Sequence, residues 1–421
     1  MAIKLGCIAD DFTGATDLAN NLVQSGMRVW QAMGVPSEPL APDADAVVIA
    51  LKSRTTPAAD AVADSLKALA WLRQAGATQY YFKYCSTFDS TEQGNIGPVS
   101  EALMDALNTD FTIATPAFPD NARAVFKGYL FVGDQLLHES GMRNHPLTPM
   151  TDSNLVRVLQ SQTRRKVGLI DHAVVAQGAD AVRARIAQLR AEGFGLAILD
   201  AVSNHDLVRV APALADLPLV TAGSGLAIGL PANFGIEPGN RASALPAAAG
   251  AAAIVSGSCS TATNAQVAAF RETGRPAFAL DPLRLAAGEN IVQEILDAAT
   301  PHLAQGPVLI HSTAQAADVD SVQQRLGREQ AGQMVEHAIA AITLGLVQAG
   351  VGRLIVAGGE TSGACVQALG IRQMQIGRQI DPGVPWCFAH TAASHREGIH
   401  ITLKSGNFGG RDFFTRAFEL L

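Results

Sequence analysis

Short apolar runs rich in β-branched residues alternate with stretches of helical period along the whole chain, the pattern of a parallel sheet covered by helices on both faces. In the first half the runs predict strands at Lys4–Ala9, Val29–Met33, Ala46–Leu51, Tyr80–Tyr84, Thr112–Thr115, Val167–Asp171, Leu196–Asp200 and Leu219–Thr221. Helices are expected between most of them, including Gly14–Ser25, opening after Thr13, and Ala58–Gln74, with Pro57 at the first helical position. Val125–Leu137, with Gly128 and Gly133-Asp134, reads as a hairpin at one edge of the sheet. The pattern stops in GIEPGNRASALP, which has turn residues and no period. A second set of strands follows at Ala252–Val255, Phe278–Leu280, Val308–His311, Leu354–Ala357, Trp386–Ala389 and Ile399–Leu403, with a long helix Gln330–Gln348 before the fourth. The expected architecture is therefore α/β, with two α/β domains of mainly parallel sheets: residues 1–235, a linker at 236–248, and residues 249–421.

Composition narrows the function classes. With 421 residues, 48% of them hydrophobic, 16% charged and 5% aromatic, the chain is neither disordered, nor collagenous, nor a stacking platform for nucleic acid. A net charge of −7 opposes binding to any broad polyanion, so no nucleic-acid partner is expected. A small anionic ligand is still allowed if its charge is met locally. No apolar run approaches the length of a membrane span, and MAIKLGCIADDF lacks the apolar core of a signal peptide; no membrane partner and a cytoplasmic location are expected. Cys7, Cys85, Cys259, Cys365 and Cys387 are widely spaced and form no CxxC pair, which suits small buried residues in a reducing compartment.

The first strand runs into Asp10-Asp11 just before a helix, where open α/β sheets bind ligands. One reading is a helix cap and dipole partner; the other is a catalytic pair, one carboxylate taking a proton from a sugar hydroxyl while its neighbour binds a hydroxyl or helps hold a cation. No G-x-G-x-x-G follows this strand, and Gly223-Ser224-Gly225 has the wrong spacing, so a dinucleotide-binding dehydrogenase is not supported. Arg54, beyond the third strand, can grip a carboxylate in a fork. Lys83 follows three aromatics in a buried strand and needs an anionic partner: a substrate carboxylate, a phosphate or only Asp89. Thr87–Asn95, with Asp89, Ser90 and Thr91, suits a capping loop or a polyol-binding loop equally well, and His145–Asp152 places further polar residues beyond an apolar stretch.

In the second half, a buried strand passes through Gly358-Gly359-Glu360-Thr361-Ser362-Gly363 into a helix, where unobstructed N–H groups can cradle phosphates. It is not a Walker A loop, because no Gly-Lys-Ser/Thr follows. Ser256-Gly257-Ser258-Cys259-Ser260 and Lys404-Ser405-Gly406-Asn407 repeat the arrangement at two other strand ends, and together the three loops suggest a nucleotide site. The histidines show no metal-ligand spacing, and Ser258 and Ser362 lack the context of a serine hydrolase.

In this order ADDFTGATD, KYCSTFDST, PAFPDNAR, HPLTPMTDS, SGSCS, AGGETSGA and LKSGNFGG resemble the motifs of the four-carbon acid sugar kinase family, over nearly the whole chain. The resemblance implies a sugar-acid-binding N-terminal domain, a nucleotide-binding C-terminal domain and an active site in the cleft between them, closing to exclude water. It implies ATP-dependent phosphorylation of the terminal hydroxyl of a four-carbon acid, in the most similar branch a 3-oxo-tetronate, with D-threonate or erythronate as alternatives and a non-catalytic sensor as a rival. It puts the ATP contacts on Ser258, on Glu360-Thr361-Ser362-Gly363 and on Ser405. In the implied mechanism Mg²⁺ and the glycine loops, Gly358, Gly359 and Gly406 among them, orient the phosphates. Arg54 or Lys83 holds the substrate carboxylate and Asp10 or Asp11 receives the proton, while the metal ligands are unassigned and a homodimer is the default assembly. One departure is Asn121-Ala122-Arg123, with Ala where the family pattern has Gly.

Overall fold

In the computed structural model, which describes residues 3–37, 43–145, 147–312 and 328–421, the strand Leu5–Ala9 (β1) is buried at every position, as a strand covered on both faces must be. The chain divides into two units, Met1–Ser243 and Ala244–Leu421, a boundary that falls within residues 236–248.

The first unit is built on parallel strands. In chain order they are β1, β2 (Val29–Met33), β3 (Ala46–Ala50), β4 (Gln79–Lys83), β5 (Thr112–Thr115), β9 (Lys166–Ile170), β10 (Phe194–Leu199) and β11 (Leu219–Ala222), with β6 (Arg123–Phe126), β7 (Tyr129–Val132) and β8 (Gln135–Leu136) between β5 and β9. The parallel strands lie in the order β2-β3-β1-β4-β11-β5-β10-β9. The predicted strands are present, with ends shifted by a few residues. β6, β7 and β8 form a separate three-stranded antiparallel sheet, so this hairpin is not at an edge of the parallel sheet as expected. Lys127 (φ 54°) and Gly128 (φ 75°) make its tight two-residue turn.

Two helix starts also differ. The first helix is Phe12–Gln24, capped by Asp11 rather than Thr13, because the Asp11 carboxylate accepts the Gly14 N–H. Pro57 is the residue before the helix Ala58–Gln74, extended at ψ 140°, and not its first helical residue.

The second unit contains β12 (Ala251–Ser256), β13 (Ala277–Ala279), β14 (Val308–His311), β15 (Val351–Ala357), β16 (Gln373–Asp381), β17 (Val384–Ala389) and β18 (Ile399–Lys404). Their order is β13-β14-β12-β15-β18-β17-β16, parallel through β18 and antiparallel beyond it. β16 was not expected from the sequence. Its run QMQIGRQID is polar at alternate positions, and Gly377 in its middle admits the Leu245 side chain, which a Cβ there would strike. Trp386, Phe270, Phe413 and Phe414 pack with Ile254 and Ile355 into this unit's core, and the Trp386 indole N–H donates to the Ala417 carbonyl at 2.9 Å. The long helix is Arg328–Gln348.

Cys7, Cys365 and Cys387 are buried, but Cys85 is half-buried and Cys259, in the loop after β12, is exposed. Among the described residues no helix is long and apolar enough to cross a membrane.

Ala122 adopts φ 55° and ψ 39°, the left-handed conformation that glycine takes without a Cβ penalty. The departure from the family pattern is therefore a strained position. Ala122→Gly should raise stability by up to about 1 kcal/mol, the relieved strain exceeding the added chain entropy. Urea unfolding measures it, and a midpoint below the wild type would contradict the assignment.

Candidate functional site

Parallel register assembles the first cluster. Ala9 lies opposite Ala50 of β3 on one side and Lys83 of β4 on the other, so residues just beyond these three strand ends meet. Asp10, buried, receives a fork from Arg54: Nε donates to Oδ2 at 2.9 Å and Nη2 to Oδ1 at 2.8 Å. Arg54 Nη2 also donates to Asp11 Oδ1 at 2.6 Å, while Nη1 is 4.0 Å from Asp89 Oδ2 and makes no hydrogen bond among the described residues. Lys83 Nζ, almost wholly buried, lies 3.9 Å from Asp11 Oδ1. Gly14 makes this approach possible, because a Cβ there would collide with both Lys83 Nζ and Asp11 Oδ1.

Burial disfavours the Asp11 charge, but Arg54, Lys83, the Thr13 hydroxyl and the Gly14 N–H outweigh it and hold the carboxyl at about 2. Burial raises the Asp10 carboxyl, with the Arg54 fork working against the rise. Asp11 caps the helix and is at the same time paired with Arg54.

The structure brings Asp10, Asp11, Arg54, Lys83 and Asp89 together. Ser90 and Thr91 are engaged differently: the buried Ser90 hydroxyl accepts from Gln162 Nε2 at 2.9 Å, and the Thr91 carbonyl accepts from the same nitrogen at 2.7 Å, bracing the loop. In that loop Phe88 is buried at φ 55° and packs edge-on against Tyr84. His145 and Thr148 bond to each other, and Pro146 lies outside the described residues.

Three further contributions depend on contacts that only the fold brings about. Asn95 Nδ2 donates to the carbonyls of Ser53 (2.7 Å), Arg54 (3.2 Å) and Thr56 (2.9 Å), fixing the loop that carries Arg54. Asp17, six residues beyond the cap, is buried with its Oδ2 bonded to the Ser224 hydroxyl and its Oδ1 unpartnered. Ser224 comes from the segment after β11, whose proximity only the sheet order reveals. Burial lifts the Asp17 carboxyl to about 6 against the pull of Lys83 and Ser224.

The second unit repeats the levelling. Ser256, Ala357 and Lys404 are in register, so the loops after β12, β15 and β18 start at one height. They interlock through small residues. A Cβ on Gly257 would strike Thr361 Oγ1, and one on Gly406 would meet Ser258 Oγ. Gly358 turns at φ 125° into the helix Gly359–Ala368, which has no side-chain cap, while Gly359 and Glu360 are exposed. Thr361 and Ser362 are buried; the Ser362 hydroxyl donates to the Gly358 carbonyl at 2.6 Å, and Gly363 continues the first turn. Ser258 and Ser405 are half-exposed at the other two loops. Space that side chains would fill is left to backbone N–H groups, a cradle suited to phosphate oxygens.

A family model described as the sugar-binding N-terminal domain matches residues 5–230, and one described as the nucleotide-binding C-terminal domain matches residues 253–414. The chain is 60% identical over 422 residues to a 3-oxo-tetronate kinase of Pseudomonas fluorescens, with 99% of this chain and 97% of that one covered. It is 59% identical over 421 residues to a 3-oxo-tetronate kinase of Burkholderia multivorans, at the same coverage. The crystal structure of a Haemophilus influenzae protein, 45% identical, superposes with a TM-score of 0.83 over 99% of both chains.

The buried Asp17 generates a pH prediction. Its folded-state affinity for a proton exceeds that of the unfolded chain, so its contribution to stability is full below about pH 4 and is lost as pH rises through 6. The stability difference between wild type and Asp17→Asn should shift in favour of the wild type by on the order of 3 kcal/mol as pH falls across that window. Parallel unfolding curves at pH 4 and 7 measure it, and a difference independent of pH would refute it.

Proposed function

The chain belongs to the four-carbon acid sugar kinase family, and we propose that it transfers the γ-phosphoryl group of ATP to the C4 hydroxyl of 3-oxo-tetronate, releasing ADP and 3-oxo-tetronate 4-phosphate. The observation that carries the chemistry is a division of labour: a carboxylate and guanidinium cluster at the strand ends of one unit, and small-residue loops at one level in the other.

The sugar acid binds at the first cluster. Arg54 Nη1, with no partner closer than Asp89 at 4.0 Å, takes the substrate carboxylate, while the rest of the guanidinium stays locked to Asp10. Asp11, its side chain 26% exposed against 8% for Asp10, receives the proton of the attacking hydroxyl. Its low proton affinity is tolerable because in a loose phosphoryl-transfer transition state the hydroxyl proton leaves late, and the carboxylate chiefly orients the nucleophile. Lys83 and the helix start keep Asp11 charged. The loops around Ser258, Glu360–Gly363 and Ser405 hold the phosphates. Among the described residues no group of three or more His, Cys, Asp or Glu side chains is arranged for a metal, so no protein ligand is assigned to Mg²⁺. When bound with the nucleotide, Mg²⁺ would neutralise phosphate charge.

ADP release on incubation with ATP, Mg²⁺ and 3-oxo-tetronate tests the reading, and faster release with D-threonate or erythronate would overturn the choice of acid. Asp11→Asn should lower kcat by about 100-fold or more with ATP binding retained. Undiminished turnover would remove Asp11 as the proton acceptor. Gly358→Val forces a branched side chain to φ 125° against Thr361, and should raise the KM for ATP at least about tenfold while sugar-acid affinity holds. The opposite pattern would mean that the roles of the units are exchanged.

A further inference from the structure

Lys404 is wholly buried at the end of β18, and nothing in the proposed reaction uses it. Its ammonium donates to Thr263 Oγ1 (3.0 Å), to the Ser405 carbonyl (3.0 Å) and to the Gly406 carbonyl (3.1 Å). All three acceptors are neutral, an expensive environment for a cation that must be compensated from elsewhere.

The same residue joins all three small-residue loops. Its own carbonyl accepts the Gly358 N–H at 2.8 Å, tying in the loop after β15. The Gly406 carbonyl that it holds also accepts from Ser260 Oγ (2.6 Å) and Thr263 Oγ1 (2.7 Å), tying in the loop after β12 and its helix Thr261–Glu272. In a trans peptide the N–H points opposite to the C=O. With the carbonyls of Ser405 and Gly406 drawn inward to the ammonium, the N–H groups of Gly406 and Asn407 face the other way, and neither has an acceptor among the described residues.

We propose that Lys404 is a positioning residue for the nucleotide: it turns two successive peptide planes so that their N–H groups meet the phosphates, and it lays a positive charge beneath them. This rests on the reading of these loops as the nucleotide site. Oxyanions then supply the compensation that the neutral protein acceptors do not.

The surroundings agree. The groups bonded to the ammonium, Thr263 Oγ1 and the carbonyls of Ser405 and Gly406, are neutral, as are Ser258 and Ser260 beside Gly406. The titratable side chains of the adjoining loops, Cys259 and Glu360, are exposed, and Asp381, which takes the Gly410 N–H at the far end of the last loop, is paired with Arg416. Burial accordingly lowers the Lys404 ammonium to about 7. A polyanion bound above it must reverse that shift, so nucleotide binding takes up a proton.

The test is ADP titration of the full-length protein by calorimetry, in two buffers of different ionisation enthalpy at about pH 8, for wild type and Lys404→Met. The wild type should take up most of one proton per nucleotide and the variant none. In the variant the Kd for ADP and the KM for ATP should rise about 10- to 100-fold, with kcat within about threefold and sugar-acid affinity unchanged. A folded variant with wild-type ADP affinity overturns the role, as does parallel loss of sugar-acid and nucleotide binding. If Lys404→Met does not fold, the wild-type measurement decides alone: ADP binding without proton uptake refutes the proposal. No ADP binding by the wild type would overturn the nucleotide reading itself, and the role of Lys404 with it.

Discussion

Parallel register is the constraint on which both sites depend. Hydrogen bonding between neighbouring parallel strands fixes Ala9 beside Ala50 and Lys83, and Ser256 beside Ala357, itself beside Lys404. Residues distant in sequence therefore emerge at one level, and the loops that follow need only a few residues to touch. A slip of one residue would turn every side chain of a strand to the opposite face and scatter the groups beyond it.

Onto that frame the two units place opposite electrostatics. In the first, carboxylates outnumber their cationic partners, so the cluster is arranged by sharing: one guanidinium serves two aspartates, and one ammonium serves Asp11 through the opening that Gly14 leaves. In the second, charge is withheld. Side chains are small, peptide dipoles carry the field, and the buried cation Lys404 is satisfied only by oxygens without formal charge. The first arrangement suits hydroxyl and carboxylate recognition, the second a ligand that brings its own negative charge.

Much of this was legible beforehand, for a physical reason. Buried parallel strands are continuous apolar runs, so β1, β3, β12 and β15 could be read directly, and the polar residues just past them are where open sheets bind ligands. What was hidden depends on three-dimensional neighbours. Asn95 and Ser224 act through strands adjacent only in the folded order, and nothing local distinguishes them from loop residues. Lys404 looks like an ordinary lysine at a strand end until the carbonyls curling back onto it are seen. β16 escaped because alternating glutamines and a central glycine do not resemble a buried strand. The cap shifted from Thr13 to Asp11 because either side chain can close a helix start, and only the extended backbone at Asp11 decides between them.

Both units open with the same wiring: the order β2-β3-β1-β4 in one is matched by β13-β14-β12-β15 in the other. A single crossover scheme therefore serves two unlike clients, and what distinguishes them is a handful of letters past each strand tip. Selection for a new acid or a new phosphate donor can rewrite those tips while leaving the apolar interior, and the stability it provides, untouched.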